Sequence, residues 1–349
     1  MVEQPRPRAV MKPLRPTAGY SRLGFVDFVA ERQALLLRRR DASPPWTSDF
    51  ILGNARFCNI DRRDDAVTAE LLVSAQECWS LRERVLLILA LRFTSSRRGE
   101  AAKIAALLTL DRDATSTLSR LRAALVAGEV QCGANTYQMS LNRKQVATVI
   151  EAAADAVVAR ISKSGPFVDV AEASDFVAEA MTCGKRPQFA ANEAAKDFQY
   201  MDGMMAGGSS RRCHLGPGAR KGLVLVRASL PPLSSLSEAA AVQACRDMLA
   251  SHGDGRRRPL EWIETIDVEQ ALCEYAKYIN YCENGISAAK RYQPSPAKAA
   301  SAPCGAPPPE EETHEETQQP GHDKRDRKRK GEPNIVDCPN AQRRRPARR

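Results

Sequence analysis

The sequence has little of what marks several common protein classes. Aromatic residues make up 5% of its 349 residues. The longest charge-free apolar run, Val85–Leu91, is far shorter than the roughly 20 residues that span a bilayer, and the first residues form no apolar signal segment. Ten cysteines without a Cys-x-x-Cys pair and four histidines match neither a disulfide framework nor a zinc-ligand spacing. We therefore expect a protein of a reducing compartment, without membrane segments or a metal centre.

A phosphate-binding loop of the Gly-x4-Gly-Lys-Ser/Thr form is also lacking, so the sequence predicts no ATP site of its own and leaves any other cofactor unknown. Positive charge, in contrast, is in excess, with 52 basic against 42 acidic residues and a net charge of +10. Residues 1–20 carry four basic and one acidic residue, and residues 293–349 carry twelve and nine. Only about +4 is left for residues 21–292.

This uneven composition predicts three segments. Residues 1–20 contain four prolines and no apolar period, and we expect them to be disordered. Residues 293–349 run from Pro/Ala/Ser through an acidic stretch to the basic runs 324–330 and 343–349, a composition typical of a disordered tail. Residues 21–292 are long enough to bury a core and are predicted to be one domain.

Within that domain the apolar periodicity is helical, which predicts an all-α fold. After a first helix that ends near Arg40, the expected helices cover 66–76, 81–93, 100–108, 114–127, 144–161, 170–181, 189–198, 237–250 and 268–282. Thr47 is predicted to be the N-cap of a short helix, and Gly128–Met139 resembles a hairpin. In the last helix, Val268, Leu272, Tyr275 and Ile279 predict one buried stripe.

Three segments carry residue types suited to chemistry. Residues 46–65 combine Trp46, Thr47, three arginines and Asn59, which suits phosphate contacts and the reading of a base edge, or else a surface loop held by Asp–Arg pairs. Residues 216–222 form a Gly-Pro-Gly turn followed by two basic residues, either a phosphate cradle like that of helix-hairpin-helix elements or an ordinary turn. Residues 267–278 present Glu, Lys and Tyr, for acid–base or amine-binding work or as a charge-paired helix face.

The order of these motifs carries a resemblance. Phe25…Arg32…Arg39, residues 45–49, 56–65, 216–222 and 272–278 together resemble the 5-hydroxymethyl-deoxyuridine (5-hmdU) DNA kinase helical domain, also described as alpha-glutamyl/putrescinyl thymine pyrophosphorylase. The resemblance covers about residues 22–293 and includes the stretch 189–198, while Thr94 and Ala276 depart from the family pattern.

The resemblance implies a helix-hairpin-helix, DNA-glycosylase-like domain that acts in hypermodification of thymine-type bases. In such a pathway a hydroxymethyl group on uracil is phosphorylated, and an amine or amino acid then displaces pyrophosphate. Because this chain has no P-loop, DNA and a separate P-loop DNA kinase are the expected partners. The basic tail predicts added affinity for DNA by counterion release, or else a solvated end, and a nuclear or otherwise DNA-associated location.

The site residues follow from these motifs. The predicted catalytic residues are Asp49, Asp197, Glu274 and Lys277, and a carboxylate among them would deprotonate the amine. The predicted DNA- or phosphate-binding residues are Arg39, Trp46, Thr47, Arg56, Asn59, Arg62, Gly216, Gly218, Arg220, Lys221, Gly222 and Tyr278. Arg220 and Lys221 would neutralise pyrophosphate, while Trp46 or Tyr278 would stack on a flipped base. We expect the three segments to converge on one cleft.

Two other classes remain open. A base-excision glycosylase would share the implied fold, but it needs a catalytic Asp or Lys shortly after the turn, and no Asp occurs between Gly222 and Asp247. A non-catalytic DNA-binding module would keep the fold without turnover.

Overall fold

The computed structural model describes residues 12–41, 45–94, 99–109, 114–130, 143–181, 188–206, 212–252 and 260–292. Within these ranges the chain forms twelve α-helices, a few 3₁₀ turns and no strand, so the predicted all-α class is confirmed. The helices are α1 Phe25–Asp41, α2 Phe50–Asn54, α3 Ala66–Ala75, α4 Leu81–Thr94, α5 Glu100–Thr109, α6 Ala114–Ala127, α7 Arg143–Ser164, α8 Val170–Ala180, α9 Gln188–Phe198, α10 Pro217–Ser229, α11 Glu238–Ser251 and α12 Thr265–Asn284. No helix in the described part of the chain is long and apolar enough to cross a membrane.

The helices bury two separate apolar clusters. The central core is built by α3 to α9, from residues 66–206, and is dominated by leucine, alanine and valine. The terminal core is built by α1 and α2 together with α10 to α12, from residues 12–60 and 212–292, and contains most of the buried aromatic rings. The chain therefore starts in the terminal core, completes the central core, and returns to the terminal core.

Helix α12 lies at the centre of the terminal core. The predicted stripe of Val268, Leu272, Tyr275 and Ile279 is buried, which confirms that prediction. Helix α10 packs so closely on α12 that a Cβ atom on Gly222 would lie 2.0 Å from the backbone oxygen of Leu272. Glycine at this position is therefore required by the helix contact.

The short helix α2 begins later than the sequence predicts. Its N-cap is Asp49, whose carboxylate accepts the Leu52 N–H at 2.8 Å. Thr47 is not the N-cap, so that prediction is wrong: its hydroxyl donates to Glu31 at 2.6 Å and accepts the Asp49 N–H at 3.1 Å. Both residue types cap helices well, and the one next to the first helical residue takes the position.

Residues 12–20, which the sequence predicts to be disordered, have defined partners in the structure. Leu14 pairs with Ile286 through backbone bonds of 2.9 and 2.7 Å, and the Tyr20 hydroxyl donates to Asp49 at 2.6 Å. Residues 12–20 are therefore held by partners from α2 and from the end of α12. The rest of the predicted N-terminal segment, most of the predicted hairpin at 128–139 and the predicted tail at 293–349 lie outside the described residues.

Candidate functional site

A cavity of about 410 Å³ lies beside α12, where the segment before α3 meets α4 and α9. Its volume falls in the range of small-molecule sites. We call this cavity the cleft; it is lined by Cys58, Asn59, Arg62, Asp65, Val67, Arg92, Phe189, Glu193, Lys196, Glu269, Gln270, Cys273 and Glu274. Its walls thus combine residues from both ends of the chain with residues of the central core.

Two arginines of the cleft hold a buried carboxylate behind them. Asp197 is fully buried. Its Oδ1 accepts Arg62 Nε at 3.1 Å and Nη2 at 3.0 Å, and its Oδ2 accepts Arg92 Nε at 2.5 Å. Asp197 is thus placed to orient Arg62 and Arg92.

A second ion-pair chain crosses the cleft from α9 to α12. Lys196 Nζ donates to Glu193 Oε1 and to Glu269 Oε2, each at 2.7 Å. Burial lowers the pKa of Lys196, but the Glu193 and Glu269 carboxylates raise it by more than burial lowers it. The pKa of Lys196 is therefore above its usual value. Burial raises the pKa of Glu193, while Arg62 and Lys196 bring it well below its usual value. The cleft therefore carries fixed charges at neutral pH.

Glu274 closes one end of the cleft. It accepts the backbone N–H of Cys58 at 2.9 Å and Lys277 Nζ at 2.7 Å on both carboxylate oxygens. Burial lowers the pKa of Lys277, but Glu274 raises it and the net shift is upward. The predicted catalytic pair is thus an ion pair, with Glu274 facing the cleft and Lys277 over the Phe57 ring at 5.7 Å.

Asp49 and Tyr278 form a separate hydrogen-bonded group in the terminal core. The Tyr278 hydroxyl donates to Asp49 at 2.9 Å and accepts the Leu23 N–H at 3.0 Å, and the Tyr278 side chain is fully buried. Its ring therefore presents no face to a flipped base. Among the predicted carboxylates, Glu274 lines the cleft, Asp197 lies behind its arginines and Asp49 lies apart from it.

The glycine turn meets α12 next to the cleft. Gly216 is the N-cap of α10, and its N–H donates to Glu269 Oε1 at 3.1 Å. A Cβ atom on Gly218 would lie 2.5 Å from Cys273 Sγ. The first N–H of the turn is therefore occupied by a carboxylate that also holds Lys196.

The two basic residues after the turn lie outside the lining of the cleft. Arg220 pairs with Glu238 at 3.3 Å on an exposed surface. Lys221 lies at a second cavity of about 360 Å³, which α10 and α12 line with Val224, Leu225 and Ile279. The structure therefore does not bring these two cations together with Lys196 and Arg62.

The remaining predicted binding residues lie in three different places. Asn59 lines the cleft, and its Oδ1 accepts Arg32 Nη2 at 3.0 Å. The Arg39 guanidinium lies over Trp46 and over Tyr292, 5.2 and 4.0 Å from the ring centroids. Arg56 is exposed.

Several cleft residues were missed by the sequence reasoning. Phe189 lines the cleft with 55% of its surface exposed, and Gln270 and Lys196 also line it. Phe189 and Lys196 belong to the stretch 189–198 that carried the resemblance, so the signal was present there without a role for either residue. Within the described ranges, no group of three His, Cys, Asp or Glu side chains is placed to hold a metal ion.

The three predicted segments meet along α12. Residues 58–65 reach it through the bond between Cys58 and Glu274, and the glycine turn reaches it through the bond between Gly216 and Glu269. The segments 58–65 and 269–274 share the cleft, whereas none of the residues 216–222, all of which the structure describes, lines it. Trp46 also lies outside the lining.

Residues 22–97 match the family model described as "5-hmdU DNA kinase, helical domain". The match confirms the predicted resemblance over those residues, and it relates this part of the chain to 5-hmdU DNA modification. The family description implies association with DNA and with a kinase. The cleft residues Cys58, Asn59, Arg62, Asp65, Val67 and Arg92 all fall within the matched segment. No curated protein and no solved structure matches the chain.

Proposed function

We propose that the cleft binds a hydroxymethyluracil-type base of DNA and that the chain serves base hypermodification together with a separate kinase. The observation that supports this is the position of the matched segment, whose residues 58–65 and Arg92 form one wall of the cleft opposite α9 and α12. A helix-hairpin-helix-like fold remains part of the proposal.

The cleft offers the groups that such a base requires. An enzyme that acts on a base takes it out of the stack, or takes it from a single strand, and reads its polar edge beside an aromatic ring. Phe189 supplies an exposed ring at the cleft, and the amides of Asn59 and Gln270 supply donors and acceptors for the uracil edge. The carboxylate oxygens of Glu193 and Glu269 supply acceptors for the hydroxymethyl O–H.

Transfer of an amine in the same cleft is a second candidate. Among the described residues that line the cleft, Asp65, Glu193, Glu269 and Glu274 outnumber the cations Arg62, Arg92 and Lys196, an arrangement that suits an ammonium co-substrate. In this step the amine nitrogen forms a bond to the exocyclic methylene carbon. The ammonium co-substrate first gives one proton to a carboxylate or water, because a protonated nitrogen has no lone pair. The bond from the methylene carbon to oxygen then breaks, pyrophosphate leaves with its electron pair, and the newly formed C–N ammonium gives a second proton to water.

The tail and the location of the protein belong to the same proposal. The basic runs at 324–330 and 343–349 would add sequence-independent DNA affinity that falls steeply with salt, and they suit a nuclear or DNA-associated location. Removal of residues 293–349 should weaken DNA binding and reduce its salt dependence. Unchanged affinity would remove the tail from the proposal.

Base recognition is tested by comparing single-stranded oligonucleotides that differ only in one base, hydroxymethyluracil or thymine. We expect tighter binding of the hydroxymethyluracil strand by fluorescence anisotropy. Phe189→Ala should lose this preference and Phe189→Tyr should keep it, because only the latter retains a ring. Trp79→Ala, which removes an exposed ring outside the cleft lining, is the matched control. Equal affinity for the two strands would contradict the proposal.

The reaction is tested by nucleoside mass spectrometry after incubation with hydroxymethyluracil DNA, with and without a 5-hmdU DNA kinase, ATP and candidate amines. An amine adduct that requires both the kinase and this chain would identify the transferase role. A phosphorylated product that forms faster with this chain, without an adduct, would identify recognition for the kinase. Release of free base would contradict both and identify a glycosylase.

A further inference from the structure

Arg32 of α1 is buried with an incomplete set of partners. Its side chain is 3% exposed. Nη2 donates to the Phe57 carbonyl at 3.2 Å and to Asn59 Oδ1 at 3.0 Å, whereas Nε and Nη1 are buried without a hydrogen-bond partner. A buried donor without an acceptor costs about 1–3 kcal/mol, and more when it is charged. The fold therefore holds a cation whose donors lack an anion.

Arg39 repeats this situation two helical turns later. Positions seven residues apart share a face of a helix, and Arg39 Nε and Nη2 are also buried without a hydrogen-bond partner. The guanidinium is covered by Tyr292 and Trp46. Burial, followed by the charge of Arg39, lowers the pKa of Arg32 to about 10. The two cations therefore repel each other across the space between them.

The carboxylates near this pair are committed to other groups. Both oxygens of Glu274 accept Lys277, and Oε1 of Glu31 accepts Arg38 and Thr47. Among the residues that the structure describes, no carboxylate forms an ion pair with either Arg32 or Arg39. A ligand anion would satisfy these donors.

We propose that Arg32 and Arg39 form an anion site, covered by the rings of Trp46 and Tyr292, that binds a phosphate group. A tetrahedral phosphate presents several oxygens at once and accepts paired bonds from guanidinium groups, which a single halide ion does not do. The phosphate comes either from a DNA phosphodiester or from free phosphate or pyrophosphate. Because Arg32 also holds Asn59, the bound group would lie one side chain away from the cleft.

Binding requires the covering rings to move, which supplies a direct signal. The donors are buried, so the anion reaches them only when the rings of Trp46 and Tyr292 shift on the Arg39 guanidinium. Trp46 should therefore change its fluorescence as the site fills. The proposal does not depend on which base the cleft binds, so its test uses ligands without hydroxymethyluracil.

The experiment titrates the full chain with inorganic phosphate, pyrophosphate and a short thymine oligonucleotide at constant low ionic strength, with chloride as the reference. We expect a saturable fluorescence change that is absent in Trp46→Phe. Arg39→Gln and Arg32→Lys should weaken binding about tenfold or more, because each removes charge-assisted bonds. Arg122→Gln, which removes an exposed arginine of α6, should leave binding unchanged.

The three ligands separate the two sources of phosphate. A response to phosphate or pyrophosphate identifies a free oxyanion, and a response to the oligonucleotide alone identifies the phosphodiester. Both outcomes support the site when Arg39→Gln weakens them. No saturable response to any ligand, or equal affinity in Arg39→Gln, would overturn it. Thermal unfolding of each variant establishes that the fold is kept. Arg39→Gln decides the outcome, because Arg39 is only half-buried and its replacement disturbs the fold less than that of Arg32.

Discussion

The central core and the terminal core both bury apolar side chains between helices, but they do so with different residue types. The central core comes, apart from Ile266, from residues 66–206 and is mostly aliphatic. The terminal core joins stretches that are far apart in sequence, and its rings contact each other: Phe28 lies 5.5 Å from Tyr275 and 5.0 Å from Tyr278, centroid to centroid. In a chain with 5% aromatic residues, rings are concentrated where distant segments must be joined, and such pairs add about 0.5–1.5 kcal/mol beyond the area they bury.

The boundary between the two cores differs from both of them because it contains buried ion pairs. Arg62 reaches from the segment before α3 to Glu193 and Asp197 of α9, and Lys196 reaches from α9 to Glu269 of α12. Charges therefore lie at the contact between the cores, and the cleft opens there. The two cores are therefore joined by buried charges rather than by apolar packing alone, and the following changes compare what the boundary and the terminal core contribute to stability.

Asp197→Asn should have the largest effect, because it breaks the boundary and leaves each core intact. Removal of one partner from a buried ion pair costs about 3–5 kcal/mol, since Arg92 would remain buried without the carboxylate it pairs with and Arg62 would keep only Glu193. The measurement is the free energy of unfolding in urea. Asp175→Asn, at an exposed pair with His214, should change it by less than about 0.5 kcal/mol. Similar losses in both variants would contradict the distinction.

Asp267, at the boundary between the cores, should make the free energy of unfolding depend on pH. Its carboxylate accepts the N–H groups of Arg62 and Glu264 at 3.2 and 3.0 Å, and burial raises its pKa to about 6. Because the unfolded pKa is about 3.9, the native state keeps a proton that the unfolded state releases. Stability should therefore fall as pH rises from about 4 to 6, by up to about 3 kcal/mol.

This effect of Asp267 is measured as the difference in unfolding free energy between the wild type and Asp267→Asn at several pH values. The wild type should lose stability relative to the variant up to about pH 6, and the difference should then level off. A difference that stays constant across this range would show that Asp267 does not titrate in the native state.

Gly222→Ala should disturb the terminal core alone. Its new Cβ would meet the Leu272 carbonyl at 2.0 Å and force α10 away from α12, at a cost of about 2 kcal/mol. The aromatic circular dichroism should change with it, because most buried rings lie in this core. Gly53→Ala is the control: its Cβ would meet only Thr47 Cγ2, at 3.7 Å, so stability should be kept or slightly raised.

Tyr278→Phe should have the smallest effect. It removes the hydroxyl that joins Asp49 and the Leu23 N–H, and such a loss costs about 1 kcal/mol. Tyr281→Phe keeps the ring contact with Phe57 at 5.9 Å and should change the unfolding free energy by less than about 0.5 kcal/mol. A larger loss in Tyr281→Phe would mean that ring packing is not what its side chain contributes.

The helices were largely predictable because their signals are local. The prediction of 81–93 corresponds to α4 at Leu81–Thr94, since an apolar run with helical flanks specifies its own conformation. Order in residues 12–20 was not predictable, because it comes from pairing with Ile286 and Asp49 rather than from any period within the segment. Sequence patterns report what a segment does alone, not what a distant partner imposes on it.

The site was predictable as a set of segments but not as a set of exposed side chains. Tyr278 has a ring that suits base stacking, yet α12 is buried on several sides and its neighbours enclose this ring. Asp197 suits a general base, yet arginines 135 and 105 residues away in sequence neutralise it. Phe189 lines the cleft only because α9 packs beside α4 and α12, and the periodicity within α9 does not predict that packing.

The return of the chain to its starting core has a consequence for biosynthesis. Residues 66–206 contain nearly every member of the central core, so this part can close while the ribosome is still adding α10 to α12. Helices α1 and α2 are made first, but Phe25 and Phe28 stay in contact with water until α12 emerges. The first helices to be synthesised are therefore the last to be buried, and they are the segments that a chaperone would meet on the nascent chain.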